Sequence, residues 1–141
     1  VGDVPGMRRA GEMAFKRAEA ILTRDQNNSS VIAYSAYALA ALGEGERAKA
    51  RMNRAMLIDP DNFNMRYNFA CALSVYLKDK NGALEMLESV YAMISDSFLP
   101  YAKADPDFAF LHDDPRYHAM VTAAEARLSA AKTAEAATAK A

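Results

Sequence analysis

The sequence predicts an all-α chain built from helical hairpins that repeat along its length. Three observations carry this expectation. Apolar residues fall at helical spacing across residues 28–62; glycine and proline breaks divide that stretch into two helices; and the stretch matches its neighbours at an offset of 34 residues.

In the central stretch, Ser29 and Ser30 offer caps for a helix through Val31, Ile32, Tyr34, Ala36, Leu39 and Leu42. Gly43 and Gly45 break it, because glycine disfavours a helix interior and supplies the positive φ of a tight turn. A second helix follows over residues 46–58, with Ala48, Met52, Ala55 and Met56 on one face and Arg47, Lys49, Arg51 and Arg54 on the other. Pro60 ends it, and Asp61 or Asn62 is ready to cap the next helix. Ala36, Ala48 and Ala55 mark places where one helix approaches another closely.

Adding 34 maps Asn28 onto Asn62, Ala36 onto Ala70 and Leu39 onto Leu73. Beyond the turn at residues 78–81 the offset becomes 35, and Ala48, Met52 and Ala55 map onto Ala83, Leu87 and Val90. Subtracting 34 maps the same three onto Ala14, Ala18 and Ile21, so residues 7–24 read as a lone second helix in a register open to a slip of one. The expected organisation is a linker remnant at 1–6, repeats over 7–94 (7–24, 29–58 and 63–94), a capping segment with a C-terminal helix at 95–130, and an alanine-rich, frayed tail at 131–141. Ser95, Ser97 and Pro100 make a turn cluster, residues 101–104 a short helix, and Phe108, Phe110 and Leu111 a plug for the open end of the stack. Asp113 or Asp114 caps a last helix that opens on Pro115 and carries Met120, Val121, Ala124 and Leu128 as its stripe.

A period near 34 residues with helix-turn-helix units resembles the tetratricopeptide repeat, through Ala36, Gly43, Ala48, Ala55 and Pro60 in one unit and Ala70, Leu73 and Ala83 in the next. The chain departs from that pattern in lacking tryptophan and in having no counterpart of Pro60 after the second unit. The resemblance implies a right-handed α-solenoid whose first helices line a concave face. Ser30, Ala33, Tyr34, Tyr37 and Ala41 would then face it from one unit, and Asn64, Tyr67, Asn68, Cys71 and Ser74 from the next. Asn68 matches the position where clamp-type members hold a peptide backbone or terminal carboxylate, but Ala33 and Tyr37 stand where two of the clamp's basic residues would be. Tyr34, Tyr37, Asn64, Tyr67 and Asn68 are the candidate peptide-binding set. Tyr67 to Ala72, Gly82 to Leu87, Asp105 to Phe108 and Asp113 to Tyr117 also look like the C-terminal region of bacterial multidomain signalling proteins, class III adenylate cyclases among them.

Composition narrows the function classes. The 141 residues are 52% hydrophobic and 25% charged, which places the chain among globular domains. A net charge of −1 gives no electrostatic case for nucleic acid or anionic membrane. No apolar run approaches the roughly 18 residues of a membrane span. The one cysteine, Cys71, excludes an internal disulfide framework and fits a reducing cytoplasm, where it reads as a packed small residue.

Catalytic signals are missing: there is no glycine-rich phosphate loop and no nucleophile motif, so neither an enzyme nor a cofactor is expected. His112 and His118 with Asp105, Asp107, Asp113 and Asp114 lack metal-ligand spacing, and the aspartates read as caps and turns. The eight methionines, Met52, Met56, Met86 and Met93 among them, read mainly as core filling. The chain opens on Val1 and on a helix with no preceding partner, which suggests an excerpt of a longer protein. The expectation is a protein- or peptide-binding module of a larger bacterial signalling protein, of unknown partner. The alternative is a structural or self-association domain that positions an attached catalytic domain such as an adenylate cyclase. Met13, Phe15, Ala20 and Leu22 on the first helix are the candidate contacts for an upstream region or a second copy.

Overall fold

The computed structural model describes residues 4–139, and those residues are helical throughout apart from short connections. The elements are α1 (Val4–Leu22), α2 (Ser29–Ala41), α3 (Gly45–Ile58), α4 (Phe63–Val75), α5 (Lys80–Met93), α6 (Leu99–Ala104), a 3-10 segment (Pro106–Leu111) and α7 (Pro115–Thr138). The most extensive contacts join α2 to α3, α4 to α5 and α1 to α2. α2 also touches α4, α5 touches α7, and the 3-10 segment lies on α4.

Four of the helices, α2, α4, α5 and α7, start on a side-chain cap. Asn28 caps α2, its Oδ1 accepting from the Val31 amide at 3.1 Å, so Ser29 and Ser30 are the first helical residues and not the cap. Asn62 does the same for α4, accepting from Met65 N at 2.9 Å; the repeated asparagine is a repeated cap. Asp79 caps α5 through Gly82 N, and Asp114 caps α7 through Arg116 N with Pro115 in the first turn. Gly43 takes φ 79° where α2 turns into α3, the left-handed conformation that terminates a helix without a Cβ clash.

The core follows the repeat. Ala36, Ala48, Ala55, Ala70 and Ala83 are all fully buried, and the small side chains let α2 cross α3 and α4 cross α5 at close range. Ile32, Leu39, Met52, Phe69, Leu73, Leu84, Leu87 and Val90 fill the space between them. The shift in offset from 34 to 35 is borne out in packing, since Ala83, Leu87 and Val90 are each fully buried.

The two ends of the helical array and the register of α1 differ from the expected ones. α1 begins at Val4, so Pro5 and Gly6 belong to its first turn and not to a linker; a proline is tolerated there because its missing N–H has no helical partner. Residues 1–3 of the expected linker lie outside the described residues. The register of α1 slips by one at its end: Gly11, Ala18 and Leu22 are buried while Ile21 is 48% exposed. An added Cβ at Gly11 would sit 3.2 Å from the Leu42 side chain, which would have to give by a few tenths of an ångström. At the other end α7 continues as helix to Thr138 with every residue from 129 to 139 exposed. Alanine's intrinsic preference for helix sustains that stretch without any buried face; Lys140 and Ala141 of the expected tail lie outside the described residues.

The crossing of α4 over α5 gives a stability prediction. Ala70→Leu adds bulk at a fully buried position and is expected to cost about 1–3 kcal/mol in chemical denaturation. An unchanged denaturation midpoint would mean that the crossing is looser than its burial indicates.

Candidate functional site: a groove between α2 and α4

α2 and α4 lie side by side and leave an open groove of about 510 Å³ between them. Ser30, Ala33, Tyr34 and Tyr37 line one wall, and Asn64, Met65, Asn68 and Phe69 the other, with Asn62 at one end. Tyr34 is 60% exposed and leaves its ring available, while Asn64 and Asn68 present amides from the facing helix. Tyr37 is half-buried and stacks edge-on against Tyr76 at 5.4 Å. Burial first, and then the hydrogen bond to Tyr76, pushes its phenol well above the ordinary range, so Tyr37 stays neutral. A second depression of about 310 Å³, between α1 and α2, shares Tyr34 and Tyr37 with the groove.

Four of the five expected site residues therefore meet: Tyr34, Tyr37, Asn64 and Asn68. Tyr67 does not join them. It is 7% exposed, and its ring packs at 5.4 Å on Phe108, at 5.2 Å on Phe98 and at 6.5 Å on Tyr101. Its hydroxyl donates to the Asp105 carboxylate. Cys71 and Ser74, expected on the same concave face, are buried as well, with Ser74 donating to the backbone carbonyl of Asp107. The reason is the segment after α6: residues 105–111 lie along α4 and cover what would be the groove's continuation. Phe108 and Leu111 are its fully buried anchors, while Phe110, expected to join the plug, is 39% exposed beside Lys78.

This seam places polar groups close together. Ligand atoms of Cys71, Asp105 and Asp107 all lie within 4.8 Å of one another. Their partners lie within the protein: Asp105 accepts from the Tyr67 hydroxyl and from the Asp107 amide at 3.0 Å. Burial, reinforced by the Asp105 and Asp107 carboxylates, pushes the Cys71 thiol far up and keeps it protonated. Of the other residues weighed for a metal, Asp114 is an ion-pair acceptor for Arg116 at 3.2 Å and Lys80 at 3.4 Å. Arg116 holds its carboxyl well below the usual aspartate range. His112 stacks at 5.2 Å on Tyr117, whose hydroxyl meets that of Tyr91 at 3.0 Å.

The sequence reasoning did not single out Asn62, Met65 or Phe69 as groove residues. The cap role of Asn62 and the helical spacing of Met65 and Phe69 beside Asn68 were the available signals. No family model, curated protein or solved structure matches the chain.

The seam has a pH signature. Cys71 and Tyr67 have folded pKa values above their ordinary 9.0 and 10.0, so the unfolded chain ionises first. Stability is thus complete below those values and falls as pH rises past them. The melting temperature is expected to hold to about pH 8 and to drop toward about pH 11, and Tyr67→Phe should make the drop shallower. A level profile for the wild type would contradict a water-excluded seam.

Proposed function

We propose that the groove between α2 and α4 binds an extended peptide segment, and that the chain is a non-catalytic interaction module of a larger bacterial signalling protein. The observation that carries this reading is the pairing, across an open groove, of an exposed tyrosine ring with two exposed asparagine amides. Asparagine offers both a donor and an acceptor, the complement of a peptide unit. Tyr34 adds rigid apolar area with a polar tip, at low entropic cost. The lining carries no charge, which suits backbone recognition and does not suit nucleic acid.

The proposal includes the finer architecture: α1–α5 as tetratricopeptide-type repeats of a right-handed solenoid, with α2 and α4 as the helices of its concave face. Support comes from the period near 34 residues, from the matching burial of Ala36 with Ala70 and of Leu39 with Leu73, and from the contact of α2 with α4. A reducing cytoplasmic location is part of the reading and rests on the single, buried Cys71. Among the described residues no helix is long and apolar enough to cross a membrane.

A second reading is favoured by one feature. Met7, Met13 and Ile21 on α1 are 57%, 55% and 48% exposed, an apolar surface suited to an upstream domain, such as a nucleotide cyclase, or to a second copy. Of the contacts expected there, Met13 and Ala20 are exposed, Phe15 is half-buried under the Arg47 guanidinium at 5.1 Å, and Leu22 is buried and withdrawn from that role. A mass that rises with concentration in light scattering, and returns to monomer in Met13→Ser, would move the function to self-association.

The groove reading is tested by selecting a random peptide library on the wild-type protein and on the Tyr34→Ala, Asn68→Ala double variant. Both positions are exposed, so the variant is expected to melt like the wild type. Peptides that bind the wild type and lose about tenfold or more in affinity for the variant are the predicted outcome. Selected peptides that bind both proteins equally would reject the groove.

A further inference from the structure

The groove between α2 and α4 does not stop at Tyr34 and Tyr37. Both tyrosines also border the depression of about 310 Å³ between α1 and α2, so the two hollows form one surface with the tyrosines between them. The second hollow differs in chemistry from the first. Where the groove presents the amides of Asn62, Asn64 and Asn68, the depression is walled by Met7, Ala10 and Ala14 of α1 and by Ala38 and Ala41 of α2. The alanines offer a ligand no hydrogen bond, and the Met7 thioether only a weak one. Ala10 and Ala41 are exposed and Met7 is 57% exposed, so this apolar lining is open to solvent, unlike the buried crossings at Ala36 and Ala70. A hollow of this size and lining suits a bulky apolar side chain. Charge adds a second constraint. The two acids of α1 are taken, Glu12 by Arg8 at 3.3 Å and Glu19 by Arg51 at 2.8 Å. Arg17 lies one turn beyond Ala14, on the side of α1 that carries Ala10 and Ala14. It is exposed and, among the described residues, has no ion-pair partner.

We infer that the ligand is a segment of another protein that lays its backbone across Asn64 and Asn68, inserts a bulky apolar side chain into the α1–α2 depression, and brings an acidic side chain to Arg17. The inference rests on the peptide-binding reading and gives it a ligand class: an extended acidic segment with one apolar anchor. Met7, Ala10 and Ala41 select the anchor, and Arg17 selects the charge. Tyr34, common to both hollows, sets the spacing between the anchor and the bound backbone.

The two hollows can be tested apart, because Asn68 lines only the groove and Ala10 only the depression. A random library of peptides amidated at the C-terminus, which leaves side chains as the source of carboxylates, is selected on the wild-type protein. The binders are then measured against Asn68→Ala, Ala10→Leu and Arg17→Gln. All three positions are exposed, so the variants are expected to fold. The inference predicts binders that share one bulky apolar residue and one Asp or Glu at a fixed spacing. Ala10→Leu fills the depression and should weaken them about tenfold, with no effect on the same peptides once the anchor is changed to alanine. Ala41→Leu fills the same space from the facing helix and serves if Ala10→Leu does not fold. Arg17→Gln should weaken them about threefold at low salt and much less at about 1 M salt. Binders that respond to Asn68→Ala but lack the anchor, or that ignore Ala10→Leu or Arg17→Gln, would overturn the inference and leave the groove reading in place. Binders that respond to Ala10→Leu and not to Asn68→Ala would reject the groove reading, and the single spanning ligand with it. An absence of binders would overturn both, and a wild-type mass that rises with concentration but not in Ala10→Leu would assign the depression to a second copy.

Discussion

The placement of the buried Asp105 carboxylate against the Tyr67 hydroxyl is the constraint on which the site depends. A carboxylate taken out of water costs several kcal/mol unless donors replace the lost hydration. Here the phenol and the Asp107 amide supply them, and the ring that carries the phenol is itself fixed by Phe98 and Phe108. The cost of burial becomes positional information, because residues 105–111 are satisfied in this placement along α4. That placement ends the groove at Asn68 and Phe69, and so determines which tyrosines are surface and which are core.

The same principle ties the hairpins to each other and to the C-terminal helix. Asp79 serves at once as the cap of α5 and as the partner of Lys49 on α3 at 2.7 Å, so one carboxylate links the second helices of the two hairpins. Lys49 first, and then the Gly82 amide, draws its pKa below the ordinary aspartate value. Asp114 repeats the arrangement at α7, capping its own helix while Lys80 and Arg116 pair with it and Arg116 reaches Asn81 at 2.9 Å. Helix caps that double as ion-pair partners align elements that apolar packing alone would leave free to slide.

Much of this was legible in the sequence, for a physical reason. Hairpin repeats are local: caps, breaks and the spacing of small residues lie within a few tens of positions, so Asn28 and Asn62, Gly43, and the buried alanines could be read directly. The helical end of the chain was less legible, because alanine reports propensity and not burial, and residues 131–138 stay helical while exposed throughout. The fate of Tyr67 was not legible at all. Its partner Asp105 lies 38 residues away, and nothing in the repeat pattern tells an inner-face tyrosine that stays open from one that receives a later segment. Tyr34 and its counterpart in the offset, Asn68, are both exposed.

The central claim is that the Tyr67 hydroxyl and the Asp105 carboxylate hold the capping segment on α4 as a coupled pair. A double-mutant cycle with Tyr67→Phe, Asp105→Ala and the combination, read by urea denaturation, measures that coupling directly. The account predicts a coupling energy of about 1 kcal/mol or more, the double variant losing less than the two single losses added together. Additive losses, agreeing within about 0.5 kcal/mol, would show that the two groups are only neighbours and would contradict it.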